Sequence, residues 1–327
     1  MRGLIIASVC VVGCNFYVNG VDTGGAGGGG GGPIPVADDA GVGGNGADDM
    51  SPRSGDTDAA LPPVASCYSE DFSPGVSLAD LASAYTQSAW KSDVLESLNR
   101  RIPGGHALMM AQQNDSQLGN FVDASSFAGL MASLSMVCNA ETSIYDYAHA
   151  GPSSFAYFMR ADLVMQPASV PTFPRSEILP YITDGATHVY DGALSGQQGS
   201  QDLTALADDL TGFTNGLACI AAVADQVQNG TGARDGVAAS IYYLELYLKR
   251  ARTAHASTYA ALQASSDWQK MVRLLWARVA FWRKTSAGAS QLGVADGPIW
   301  AHVDDPANSS EISMFAGAPL SDIECHP

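Results

Sequence analysis

Ser126-Phe127-Ala128-Gly129-Leu130-Met131-Ala132-Ser133-Leu134-Ser135-Met136-Val137-Cys138-Asn139-Ala140-Glu141-Thr142-Ser143-Ile144-Tyr145-Asp146-Tyr147 is the stretch on which the fold turns. Its apolar residues recur at threes and fours. At 100° per residue, Phe127, Leu130, Met131, Leu134, Val137, Cys138, Ile144 and Tyr145 fall within one arc, which predicts an amphipathic helix over 126–147. Glu141 lies near the middle of that arc. A carboxylate there must be protonated, hydrogen-bonded, paired with a cation such as Arg160 or Arg175, or bound to metal. If it is a structural partner, Glu141→Gln should lose on the order of 1–3 kcal/mol. If it is an unpaired acid, the same change should leave stability equal or higher; destabilisation is the expected outcome.

Working outward, the same helical period dominates. Ser77-Leu78-Ala79-Asp80 opens a predicted helix through Leu81, Tyr85, Trp90 and Leu98 to a stop at Pro103-Gly104-Gly105. Further periodic stretches cover about 153–165, 176–194, 202–227, 234–253 and 266–285, separated by turns containing Pro or Gly. No alternating strand pattern and no fixed-period repeat is evident. The expectation is an all-α domain of seven or eight helices over 67–327. Beyond Ser286 the chain reads as an irregular tail, with Ile299, Trp300, Met314 and Phe315 packed onto the body.

The first 66 residues are of another kind. Met1-Arg2 is a positive start, Gly3 to Val12 is apolar but too short to span a bilayer, and Val11-Val12-Gly13-Cys14 places a small residue before cysteine. This resembles the signal and lipobox of a bacterial lipoprotein. The resemblance implies removal of residues 1–13, lipidation of Cys14, and a membrane-anchored place in the bacterial cell envelope, periplasmic or surface-exposed. Residues 14–66 are mostly Gly, Asp, Ala and Pro, which cannot bury enough apolar surface to offset ordering. As a Gly-rich coil, residues 20–66 would span roughly 35–40 Å.

The 67–327 segment holds 26 acids and 14 bases, an acidic balance that argues against nucleic acid as a partner. Its four cysteines, Cys67, Cys138, Cys219 and Cys325, are even in number, which favours two disulfides in an exported protein. They lack the close C-x2-C spacing of a zinc knuckle. Cys138 lies inside the apolar arc of its helix and Cys219 outside its own, so the expected pairing is Cys67–Cys138 with Cys219–Cys325. Residues 249–284 concentrate eight bases against Asp267, either as the solvated back of a core helix or as a contact for anionic lipid or an acidic partner.

The run Val137 to Asp146 is similar to the zinc-binding helix of gluzincin-type metallopeptidases, in which His-Glu-x-x-His supplies two ligands and a general base. The resemblance implies that Glu141 activates water and that a later acid completes the metal site. Asp209 fits that role because it borders the apolar stripe of 202–227, whereas Asp208 points outward. Ala140 and Ile144 occupy both histidine positions, so the family's zinc has lost its two principal ligands. The resemblance therefore implies a degenerate, zincin-like pseudoenzyme with no cofactor. The alternative is an active zinc enzyme that recruits His149 or His188. Asp184, His188 and Asp191 share one face at i, i+4 and i+7, but that face looks away from Ile178, Ile182, Ala186 and Val189. No G-x-S-x-G, Walker or dinucleotide motif is present. Binding of an envelope protein or ligand is the expected activity.

Overall fold

A computed structural model describes residues 67–327, and they form an all-α body around one hydrophobic core. The expected leader, the lipidation site Cys14 and the tether lie outside the described residues. The α-helices are α1 (Ala79–Ala84), α2 (Trp90–Arg101), α3 (Pro103–Ala111), α4 (Phe127–Ala148), α5 (Leu203–Ala222), α6 (Ala233–Ala254), α7 (Ala256–Ala264), α8 (Ser266–Ser286), α9 (Asp296–Val303), α10 (Pro306–Ala316) and α11 (Leu320–Cys325), with a single turn at Gly196–Gly199. Among the described residues no helix is long and apolar enough to cross a membrane.

The central rod is α6, buried without interruption from Ala233 to Leu248. A helix enclosed on every side cannot show a single apolar stripe, and its polar residues must be satisfied by neighbours. Against it pack α5, α8, α9 and α10, while α4 lies across the opposite side of α5. Ser126 caps α4 by accepting from the Gly129 amide at 3.0 Å, and Asp202 caps α5 by accepting from the Thr204 amide at 2.9 Å.

Five expectations need correction. Residues 153–165 are not helical: Tyr157–Arg160 (β1) and Leu163–Met165 (β2) form an antiparallel hairpin. Tyr157, Phe158 and Met159 are all buried, so β1 has no outward face and its sequence lacks the alternation that would mark a strand. Residues 176–194 form separate 3-10 turns, Arg175–Tyr181 and Asp191–Leu194, because Pro180, Gly185 and Gly192 interrupt any longer ladder. Pro103-Gly104-Gly105 begins a helix as well as ending one. Ile102 is extended and Pro103 takes the first helical position, where its missing amide hydrogen costs nothing. The supposed long first helix is likewise broken at Tyr85–Ala89.

The fifth concerns the tail, which is helical. Asp305 accepts from the Ala307 amide at 2.9 Å, Pro306 opens α10, and Gly317 closes it at φ +66°. Ile299, Trp300 and Phe315 are buried as expected, whereas Met314 is exposed. With the tail counted there are nine α-helices of eight or more residues among the described residues, above the seven or eight expected.

Candidate functional site: carboxyls between the central helices

The closest helix pair is α4 with α5, which run antiparallel. Gly212 and Gly216, one turn apart on α5, allow that approach. A Cβ at 212 would sit 2.4 Å from Asn139 Oδ1, and one at 216 would sit 2.4 Å from the Ser135 carbonyl oxygen. Cys219 continues the same face at i+7, and it bonds Cys138 of α4. Cys67 bonds Cys325. The expected pairing, Cys67–Cys138 with Cys219–Cys325, is therefore wrong. Cys219 lies off the large apolar arc of α5, but α5 is buried nearly all round, and its small-residue face is the one that meets α4.

Polar groups fill the rest of this seam. Asn215 Nδ2 donates to Thr142 Oγ1 at 3.0 Å and to the Phe158 carbonyl at 2.8 Å. At the far end Asp146 of α4 faces Asp208 of α5, with residue exposures of 0% and 4%. The Phe158 amide donates to Asp146 Oδ1 at 2.7 Å, and Ser143 Oγ donates to Asp208 Oδ2 at 3.0 Å. Burial raises both acids; the charge of Asp208 raises Asp146 further, and that of Asp209 raises Asp208. Asp146 Oδ2 and Asp208 Oδ1 have no hydrogen-bond partner among the described residues, and the charge of Asp208 favours the protonated form of Asp146. The assignment of Asp208 to the solvent face is thus corrected: it is the buried acid. Asp209 is half-buried and pairs with the Arg175 guanidinium.

Glu141 stands apart from this pair, on the side of α4 that faces α2 and the loop after α3. It is 0% exposed, and neither oxygen has a hydrogen-bond partner among the described residues. Burial, together with the charge and contact of Asp115, pushes its carboxyl up to about 8, against the weaker pull of Lys91. Lys91 itself donates to the Gln113 carbonyl. Neither arginine proposed as a partner serves: Arg160 pairs with Asp162, and Arg175 with Asp209.

His149 caps the end of α4, exposed, with Nδ1 2.8 Å from the Tyr145 carbonyl oxygen and its ring stacked on Tyr145 at 4.0 Å. His188 is exposed, with Nδ1 2.7 Å from the Gly185 carbonyl oxygen; Asp184 meets His302, while Asp191 accepts from Thr187 and Tyr243. The trio of Asp184, His188 and Asp191 is therefore split. Among the described residues no group of three or more His, Cys, Asp or Glu side chains is arranged to hold a metal ion.

Sequence reasoning missed Asp146, Asp208 and Asn215. A signal existed: Asn139, Thr142 and Asp146 on α4, and Asp208, Gly212 and Asn215 on α5, each recur at helical spacing as a second, polar stripe. The bases of 249–284 are also largely engaged. Arg250 pairs with Glu177, Arg252 with Glu311, Arg278 with Glu70 and Arg283 with Asp304. Comparison with protein-family models, curated proteins and solved structures found no match.

Proposed function

We propose that this chain is a lipid-anchored protein of the bacterial cell envelope whose helical body binds or assembles rather than catalyses. The observation that carries the choice is the dispersal of the three residues a zincin-like centre would need. Glu141 faces Asp115 and Lys91, Asp209 is held by Arg175, and His149 lies against Tyr145 on the outside. Two disulfides support an oxidising compartment, which agrees with export. The lipobox at Val11–Cys14 supports the anchor.

The test has two parts. Detergent partitioning of the full chain expressed in a bacterium should place it with membranes, and Cys14→Ala should release it into the soluble fraction. The purified chain should carry far less than one zinc per molecule and cleave no peptide. Unchanged partitioning of Cys14→Ala removes the anchor from this reading. The second reading, a zinc peptidase using Glu141 as base with His149 and Asp209 as ligands, rests on the two unpartnered oxygens of Glu141. Zinc-dependent cleavage abolished by Glu141→Gln would establish it instead.

A further inference from the structure

Where α3 begins, its first turn faces the end of β1 and the Cys138–Cys219 bridge. A small recess opens there, lined among others by Gly104, Gly105, Arg160, Asn215, Glu70 and Arg278. Its space is far below that of drug-sized ligand sites and admits about one water-sized group, such as the head of a small ion.

Arg278 is 1% exposed. Its Nε donates to Glu70 Oε1 at 2.6 Å, and its Nη2 reaches Asn215 Oδ1 at 2.9 Å and Glu70 Oε2 at 3.3 Å. Nη1 is buried with no partner among the described residues, the one nitrogen of this side chain left to bond a guest. A guanidinium cannot shed its charge, so an unmet N–H on it favours an acceptor oxygen more strongly than a neutral group would.

The rest of the lining has the same preference. Arg160 brings a second guanidinium, lying over the Tyr68 ring at 5.7 Å and paired on its outer side with the exposed Asp162. The N-cap Ile102 offers no side-chain acceptor to the first turn of α3, so the amides of Gly104 and Gly105 lack a capping partner there. The positive end of the helix dipole adds to the field. Glu70 is the one acid among the lining residues, and both its oxygens already accept, from Tyr68 and Arg278. With Asp162 counted, two guanidiniums meet two carboxylates, so the preference for an acceptor rests on the unmet Nη1 of Arg278 and the uncapped amides of α3 rather than on net charge. We propose that this recess is a binding site for a small monoanion of carboxylate type, held by Arg278, Arg160 and the first-turn amides of α3. The inference stands whether or not the chain is lipidated.

Thermal unfolding of the purified full chain tests it, with formate, acetate or acetylglycine titrated against bulky gluconate at constant ionic strength. Acetate or formate should raise the melting temperature along a saturating curve. Arg160→Gln should weaken the apparent affinity about tenfold, and Asp162→Asn, which frees Arg160 from its outer carboxylate, should strengthen it. Asp162 is exposed and Arg160 partly exposed, and far-ultraviolet circular dichroism of both variants checks that the fold is retained. If acetylglycine acts as well as acetate and acetylglycinamide does not, the guest is the terminal carboxylate of a peptide. If acetate alone acts, it is a free ion; both results support the site. Equal melting temperatures in all salts, or an unaltered acetate response in Arg160→Gln, would overturn it.

Discussion

Helices α4 and α8 are of nearly equal length and both are built into the core, yet they handle buried charge in opposite ways. On α4, Glu141 and Asp146 are buried without a cation. On α8, Arg278 is buried against Glu70, and Arg283 meets Asp304 while lying over the Trp300 ring at 4.1 Å. The difference follows from proton chemistry. A carboxyl removed from water can discharge by keeping a proton, at an expense set by how far its pKa must rise above the usual 4–5. A guanidinium has no such exit near neutral pH, so each buried arginine brings a carboxylate with it. Glu70 shows the converse: burial alone would raise it, but the charge and hydrogen bonds of Arg278 hold it below its ordinary value.

The comparison can be broken most sharply on the arginine side. Glu70→Ala leaves Arg278 enclosed and uncompensated, and the loss should be about 3–5 kcal/mol in urea unfolding. A loss under about 1 kcal/mol would mean that the arginine finds water after all. Next comes the seam that makes α4 so close to its neighbour. Gly216→Val pushes a side chain into the Ser135 carbonyl and should destabilise by about 1–3 kcal/mol through forced separation of α4 and α5.

On the carboxyl side the effect is smaller and has the opposite sign. With no partner to lose, Glu141→Gln should raise stability at pH 7 by on the order of 1 kcal/mol, the outcome reserved above for an unpaired acid. The pH dependence sharpens it. A carboxyl raised in the folded state stabilises fully below its unfolded value, and that contribution is lost as pH rises from about 4.5 through about 8. Wild-type stability should therefore fall across this window, with a shallower fall in Glu141→Gln. Equal slopes would remove the raised carboxyl from the account. The smallest effect belongs to the solvent-facing pair: Asp304→Asn should cost about 0.2–1 kcal/mol, because both partners of Arg283–Asp304 are partly exposed and screened.

Much of the fold was legible in the sequence because helices α4, α5, α6 and α8 are long enough for periodicity to outweigh local accidents. The hairpin escaped notice because β1 is buried on both faces, and α9, α10 and α11 because short helices rest on caps, Asp305-Pro306 and Gly317 in α10, rather than on many turns of apolar repeat. At the site, the burial of Glu141 was readable from its arc. Its lack of a counter-ion was not, since that depends on Arg160 and Arg175 having been taken by Asp162 and Asp209 from other elements. The error at Asp208 has a similar source: on a helix enclosed all round, the direction away from the apolar stripe still points into protein.

The bridge from Cys67 to Cys325 makes the described body a covalent loop, with the place where the chain enters also the place where it closes. A pull arriving through the residues before Cys67 is shared at once with the last helix and cannot unravel the body from one end. A protease that cuts an exposed connection within the loop opens it without freeing a fragment; the two pieces stay joined until the bridge is reduced, and a cut between Cys138 and Cys219 is held by the second bridge as well.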